Sequence, residues 1–383
     1  MKLLFASDSF KGTITSTESA AMLEKAARNV FGSVECTSIP VADGGEGTTD
    51  AVIAACNGKK VSVTVHGPLM ESVQAYYGDL GNQSAVMEMA IASGLPMVPP
   101  EKRNPLNTTT YGTGELLKDA LEKGFTDISI AIGGSATNDG GMGCARALGV
   151  RFLDADGNEL EGKGSDLEKV RTIDTSGLDS RVKQTKFTVM CDVTNPLCGK
   201  DGATYTFGKQ KGATPEIQDR LEKGMQNYRD IIISTFGINP DEIAGSGAAG
   251  GLGAALLVFL NAKLKSGIET VLDLTRFDEK LRGMDLVVTG EGRTDWQSCF
   301  GKVVQGVGDR CKKAGVPAVA LVGSMGEGAD QIFEHGICSM IPTVTDTITL
   351  EEALAKAKES YYDGAIRLFR FIKTGMAIAQ KQR

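Results

Sequence analysis

The chain reads as an α/β protein: a doubly wound, flavodoxin- or Rossmann-like parallel-sheet domain with a second, inserted mixed α/β domain. Three observations predict this. Short apolar runs at 2–6, 286–288, 318–322 and 337–341 alternate with amphipathic helical stretches at both ends of the chain. Several runs end in glycine-rich polar loops, the usual exit of a parallel strand. Between the ends, residues 61–89 switch to short alternating runs such as 61–65 and 73–77, the pattern of antiparallel strands.

Taken in order, residues 2–6 form a first strand. The loop Asp8-Ser9-Phe10-Lys11-Gly12-Thr13 follows, then a helix over 16–31 with Met22, Leu23, Ala26, Ala27 and Val30 inward. A second strand at 34–41 runs into Ala42-Asp43-Gly44-Gly45-Glu46-Gly47-Thr48 and a helix at 49–56. Prolines 96, 99, 100 and 105 punctuate a loop before a helix over 111–123. Residues 127–149 combine an isoleucine-rich strand, the loop 133–141 and a helix start, an arrangement that offers backbone N–H groups to an anion. The plainer reading of that loop is a tight turn in a parallel sheet. A hairpin at 150–158, a strand at 186–190 with the exit loop 191–197, and a long helix over 216–236 come next. A glycine loop at 245–253 leads into an apolar helix at 254–264, and α/β alternation resumes to the terminal helix from 351. The ends resemble each other more than the middle. This predicts a discontinuous Rossmann-like domain of 1–60, 105–149 and 280–383, with 61–104 and 150–279 as the insertion.

The net charge of −7 opposes nucleic acid or an anionic membrane as the main partner, but not a small anionic substrate in a local basic pocket. Eight cysteines without a CxxC, an opening apolar run that meets Asp8 too soon for a signal core, and no apolar run long enough to span a bilayer predict a reduced, cytoplasmic protein. Only His66 and His335 are available, and neither lies in a glycine-rich or acidic cluster, which argues against a Ser-His-Asp triad or a histidine zinc site.

The loops carry Lys11, Asp43, Glu46, Asn138, Asp139, Asp192, Glu291, Arg293 and Asp295. These are the parts of phosphoryl transfer: backbone donors for phosphates, carboxylates for Mg²⁺, cations for the moving group and a carboxylate for a hydroxyl. Each has a plainer reading. Lys11 fits a solvated loop, Asp43 a helix cap, and Asp192 a turn into Asn195-Pro196. The central loop is not a Walker A, because Gly140 is followed by Gly141-Met142. Gly245, Gly247 and Gly250 spell GxGxxG, which raises a nicotinamide-dependent oxidoreductase as a rival. No strand precedes the first glycine, as that fingerprint requires. A non-enzymatic sugar-acid sensor is a second rival, without any basic patch or appended DNA-reading segment to favour it.

The ordered series Asp8 to Gly12, Pro40 to Gly47, Gly112 to Leu116, Gly133 to Gly141, Cys191 to Leu197, Phe207 to Ala213, Gly245 to Gly253 and Thr289 to Gln297 resembles the type I glycerate kinase family. The resemblance runs to about Gly308; Lys209 and Ser246 depart from the expected proline and alanine. It implies an ATP- and Mg²⁺-dependent kinase acting on D-glycerate in glyoxylate or sugar-acid catabolism, giving 2-phosphoglycerate or 3-phosphoglycerate. It also implies two domains with the active site in a cleft. The partners expected are glycerate and ATP, with no nucleic acid or membrane and with a homodimer left open. On this reading Gly133, Gly134, Ser135 and Asn138 contact the nucleotide, and Asp192 and Glu291 hold the metal. Ser9, Lys11, Gly44, Gly45 and Arg293 bind substrate, with Lys11 and Arg293 at its carboxylate or the moving phosphoryl group. Asp295 or Asp43 orients the attacking hydroxyl.

Overall fold

The computed structural model describes residues 1–299 and 301–381. The chain folds as α/β, in two compact units. The first comprises Met1–Asp43, Asp50–Asn57 and Gly267–Arg383; the second comprises Gly44–Thr49 and Gly58–Ser266.

The first unit is built on a five-stranded sheet in the order Ile337–Pro342, Ala318–Val322, Leu286–Gly290, Lys2–Ser7, Glu35–Ser38, parallel throughout. Its central strands are apolar runs because both faces are covered. Leu3, Phe5, Val288 and Leu321 pack with Leu23, Ala27, Tyr361 and Phe369 from the helices Ser16–Phe31 and Ala357–Lys381. Leu4 and Val287 point the other way along the pleat and are equally inaccessible to solvent. Helix Ser16–Phe31 starts where a capping box between Thr15 and Glu18 satisfies its first N–H groups.

The second unit holds a mixed six-stranded sheet, Lys263–Lys265, Lys186–Met190, Asp127–Ala131, Ser84–Glu88, Ser72–Asp79, Lys59–His66. The first four are mutually parallel; the hairpin Lys59–His66/Ser72–Asp79 and its partner Ser84–Glu88 are antiparallel. Two expected groupings are thereby corrected. Residues 105–149, expected with the chain ends, belong to this unit, because strand Asp127–Ala131 pairs with Ser84–Glu88 and Lys186–Met190. A buried parallel strand carries no mark of its partners, so its pattern suits either sheet. Helix Gly267–Leu274, expected in the insertion, belongs to the first unit.

The glycine loop after Asp127–Ala131 is built around one carboxylate. Asp139 is inaccessible to solvent and accepts hydrogen bonds from Thr110 N (2.7 Å), Thr110 Oγ1 (2.8 Å), Gly141 N (3.1 Å), Gly143 N (3.2 Å) and Thr109 Oγ1 (3.5 Å). It thus ties the entrance of helix Tyr111–Glu122 to that of Met142–Ala147, where unpaired N–H groups need an acceptor. The second glycine loop packs directly on this one. Gly140 N donates to Gly250 O at 3.0 Å, and a Cβ added at Gly250 would lie 2.1 Å from Thr137 O. The GxGxxG at 245–250 is therefore a loop-to-loop packing device, preceded by the 3-10 turn Pro240–Glu242 rather than a strand.

Removing this acceptor strands several buried donors at once. Asp139→Ala is expected to lower the unfolding free energy by roughly 3 kcal/mol or more, measured by urea denaturation followed by circular dichroism. An unshifted midpoint would show that the carboxylate is dispensable.

Candidate active site

Numbered along the chain, the strands of the first unit run 2-1-3-4-5, the flavodoxin-like order whose switch point lies between strands 1 and 3. Those two strands are Lys2–Ser7 and Leu286–Gly290, and ligands in open α/β sheets bind outside such carboxyl ends. A cavity of about 660 Å³ opens there. Its polar lining comes from the exits of both switch-point strands: Asp8, Ser9 and Lys11 from one, Glu291 and Arg293 from the other. Asp43 and Lys302 join them, with Ser324 and Thr343 from the exits of the next two strands. The loops are fastened to one another: Asp8 N donates to Gly290 O (2.8 Å), Gly323 N to Glu291 O (3.0 Å) and Ser324 N to Gly292 O (3.1 Å).

Two carboxyls of this cavity are shifted. Burial pushes the Asp8 carboxyl up to about 7, with the facing Asp43 and Glu291 adding to the rise and Ser9 N–H and Lys11 opposing it. Burial likewise raises Glu291, against the Ser298 and Thr294 hydroxyls and Lys302; Thr294 Oγ1 donates to Glu291 Oε1 at 2.8 Å. Two carboxyls held above their ordinary range beside cations mark a place built to receive positive charge or a proton.

The structure brings Ser9, Lys11, Asp43, Glu291 and Arg293 together in this lining. Asp295 is set back: it is absent from the lining, accepts from Gln297 N (3.0 Å), and places Oδ2 3.6 Å from Arg293 Nε. Two further charged residues of the lining, Asp8 and Lys302, are not among the site groups the sequence predicts. Asp8 had a legible signal, since it is the first residue beyond a switch-point strand; Lys302 announces itself only once helix Val303–Ala314 is placed.

The remaining candidates lie in the second unit. Gly44 and Gly45 abut Gly133, whose added Cβ would fall 3.3 Å from Gly44 O. Beside them, the buried Glu88 carboxylate accepts from Gly47 N (3.2 Å) and Thr49 N (2.6 Å), capping helix Thr48–Cys56. Gly133 and Gly134 are exposed, with Gly134 O accepting from Leu95 N at 2.8 Å. Asn138 is wholly buried, with Nδ2 donating to Thr204 Oγ1 at 3.0 Å. Ser135 is also buried, in a bridge with Gly94. Polar residues in a glycine loop serve internal packing as readily as a ligand, and burial places Ser135 and Asn138 behind the exposed Gly133 and Gly134. Asp192 is exposed, just beyond strand Lys186–Met190.

A model of the glycerate kinase family matches residues 3–373. The chain belongs to the glycerate kinase family. It is 45% identical over 382 residues to the glycerate 2-kinase of Escherichia coli K12, covering 100% of this chain and 99% of that one. It is 46% identical over 353 residues to the glycerate kinase of Halalkalibacterium halodurans, covering 92% and 93%. A crystal structure of a Salmonella typhimurium LT2 protein assigned as glycerate kinase 2 aligns with a TM-score of 0.89 at 43% identity, over 98% and 99% of the two chains. The protein is thus an enzyme of a kinase family, and no described helix is long and apolar enough to cross a membrane.

The family motif around Lys211 has a structural meaning of its own. Lys211 is fully buried and donates Nζ to Thr137 O at 2.6 Å, bracing the loop next to Asp139. Burial pushes its ammonium down to about 7 from an ordinary 10.5, with Asp139 pulling it back up. Because the folded value is the lower, the unfolded chain holds more protons between pH 7 and 10.5, and stability rises with pH across that window. In Lys211→Met this rise should vanish, as read from urea midpoints of both proteins at pH 7 and pH 9; parallel profiles would contradict the burial of a titrating amine.

Proposed function

We propose that the enzyme transfers the γ-phosphoryl group of ATP to a hydroxyl of D-glycerate, giving ADP and 2-phosphoglycerate, in organic acid catabolism such as that of glyoxylate. Family membership supports the kinase, and the name of the E. coli relative favours the 2-product over 3-phosphoglycerate. The observation that carries the reading is the cavity in which Asp8, Asp43 and Glu291 share one lining with Lys11, Arg293 and Lys302. Phosphoryl transfer requires that pairing of acids with cations and little covalent chemistry from the protein.

In this scheme Arg293 presents its planar fork to the glycerate carboxylate, held in place by Asp295 behind it. Lys11 and Lys302 meet the phosphate oxygens. The glycerate hydroxyl oxygen forms a bond to the γ-phosphorus as the bond from that phosphorus to the β,γ-bridging oxygen breaks, and ADP leaves with the electron pair. The hydroxyl proton passes to a carboxylate, Asp8 or Asp43. Among the described residues no group of three or more His, Cys, Asp or Glu side chains is arranged to hold a metal. Mg²⁺ bound through one or two carboxylates plus substrate phosphates needs no such group, and the hard oxygens of Glu291 and Asp43 fit it. Mg²⁺ would supply charge neutralisation of the phosphates. Eight unbridged cysteines are in keeping with a cytoplasmic enzyme.

A coupled ADP-release assay with D-glycerate, tartronate and glucarate tests the reaction, and phosphorus NMR of the product identifies the hydroxyl. Glycerate is expected to be the preferred acceptor; turnover with another acid alone would reassign the substrate. Asp8→Asn should reduce kcat by about 10²- to 10⁴-fold with both KM values little changed. Arg293→Lys should raise KM for glycerate more than for ATP, and an effect confined to ATP would reverse its role.

A further inference from the structure

We infer that the apolar part of this cavity seats the nucleoside of ATP. The base and ribose lie against residues 344–357, and the triphosphate runs toward Lys11 and Lys302. This rests on the ATP-dependent reading proposed above and assigns a site to the nucleotide within it.

Size is the first reason. A cavity of about 660 Å³ belongs in the roughly 300–1,000 Å³ range that holds cofactor-sized ligands, whereas a three-carbon acid needs a fraction of it. Composition is the second. Beyond the charged strand exits the lining continues as Val344, Ile348, Leu350, Ala353, Leu354 and Ala357. Glycerate, polar at every carbon, gains nothing from such a wall, while a purine ring gains from burying its faces.

The third reason is that this wall has no structural use. Leu350, Ala353, Leu354 and Ala357 recur at the spacing of one helical face, a stripe that usually faces a core. Helix Leu350–Ala355 nevertheless buries none of its residues, and Leu350 and Leu354 stay 75% and 47% exposed. The stripe lines the cavity instead. The segment leading to it is tied to the sheet, with Thr343 N donating to Val322 O at 2.7 Å and Val344 N to Gly323 O at 3.2 Å, and a Thr349–Glu352 capping box starts the helix. Thr343, Thr349 and Ser360 are also part of the lining and add polar residues beside the apolar wall.

The test uses the full-length enzyme, a Leu350→Ser/Leu354→Ser double variant and, as an independent probe, Ala353→Trp, which fills the cavity. All three positions are partly or largely exposed, so the fold should tolerate them. Binding of a fluorescent ADP analogue is titrated without acceptor, inorganic tripolyphosphate is used as a competitor, and KM values for ATP and glycerate are measured. Both variants should weaken nucleotide binding tenfold or more, leave KM for glycerate within about twofold, and leave tripolyphosphate binding unchanged. Unchanged nucleotide binding in both variants overturns the assignment, as does a rise in KM for glycerate alone, or a wild-type enzyme that binds no nucleotide. If the wild type binds the nucleotide but phosphorylates a different acid, the glycerate reading fails while loss of binding in the variants still upholds the nucleoside seat.

Discussion

Five donors converge on the carboxylate of Asp139, and the second unit is arranged to let them do so. A buried carboxylate is costly unless its oxygens are satisfied, so the segments that supply donors are fixed relative to each other. Thr109 and Thr110 bring the start of one helix, Gly141 and Gly143 the start of another, and Lys211 braces the adjoining turn through Thr137 O. The packing of Gly250 against Thr137 follows from the same demand, since the backbones must approach closer than any side chain permits. Most glycines of the loop 133–143 are thereby explained without a ligand.

That outcome bears on how much of the molecule its sequence discloses. Elements with a strong period are placed well: helices Ser16–Phe31 and Pro215–Phe236 lie within a residue of where their patterns put them, because caps and Gly stops are local signals. The parallel first-unit strands are legible as apolar runs. Partnership is not. Strand Asp127–Ala131 looks like those strands and joins another sheet, since hydrogen-bond partners across a parallel sheet are chosen by the crossover connections and not by the strand. Helix Ala248–Leu260 hides a further difficulty. Its first turn holds positive φ at Ala249, Gly250 and Gly251, a conformation dictated by the neighbouring loop.

The site shows the same division. Lys11, Asp43, Glu291 and Arg293 were legible because polar residues just beyond apolar strands have few structural duties. Asn138 and Ser135 carry the same type of signal and are buried. What separates the two groups is whether neighbouring backbone groups are left unpaired by the local fold, which composition cannot reveal. Asp295 falls between them: it stands outside the lining and pairs with Arg293, which lies in it.

Both units bury acidic groups, and burial raises the carboxyls of Asp139 and Asp8 alike. At Asp139 the donors are all internal and the need is met by the fold. At Asp8 the facing groups include two more carboxylates, and the carboxyl sits near 7 where its ordinary value is 3.8. Between those values the folded chain holds more protons than the unfolded one, so Asp8 lowers stability as pH rises toward 7. A fold that concentrates apolar strands and well-made caps around such a group retains an unfavourable contact that an amide or a leucine would remove. Local violations of this kind collect where chemistry is done, because a satisfied carboxylate is a poor acceptor for a substrate proton. Asp139 thus sets five internal donors against its burial, whereas Asp8 has only Ser9 N–H and Lys11 to oppose burial and two facing carboxylates.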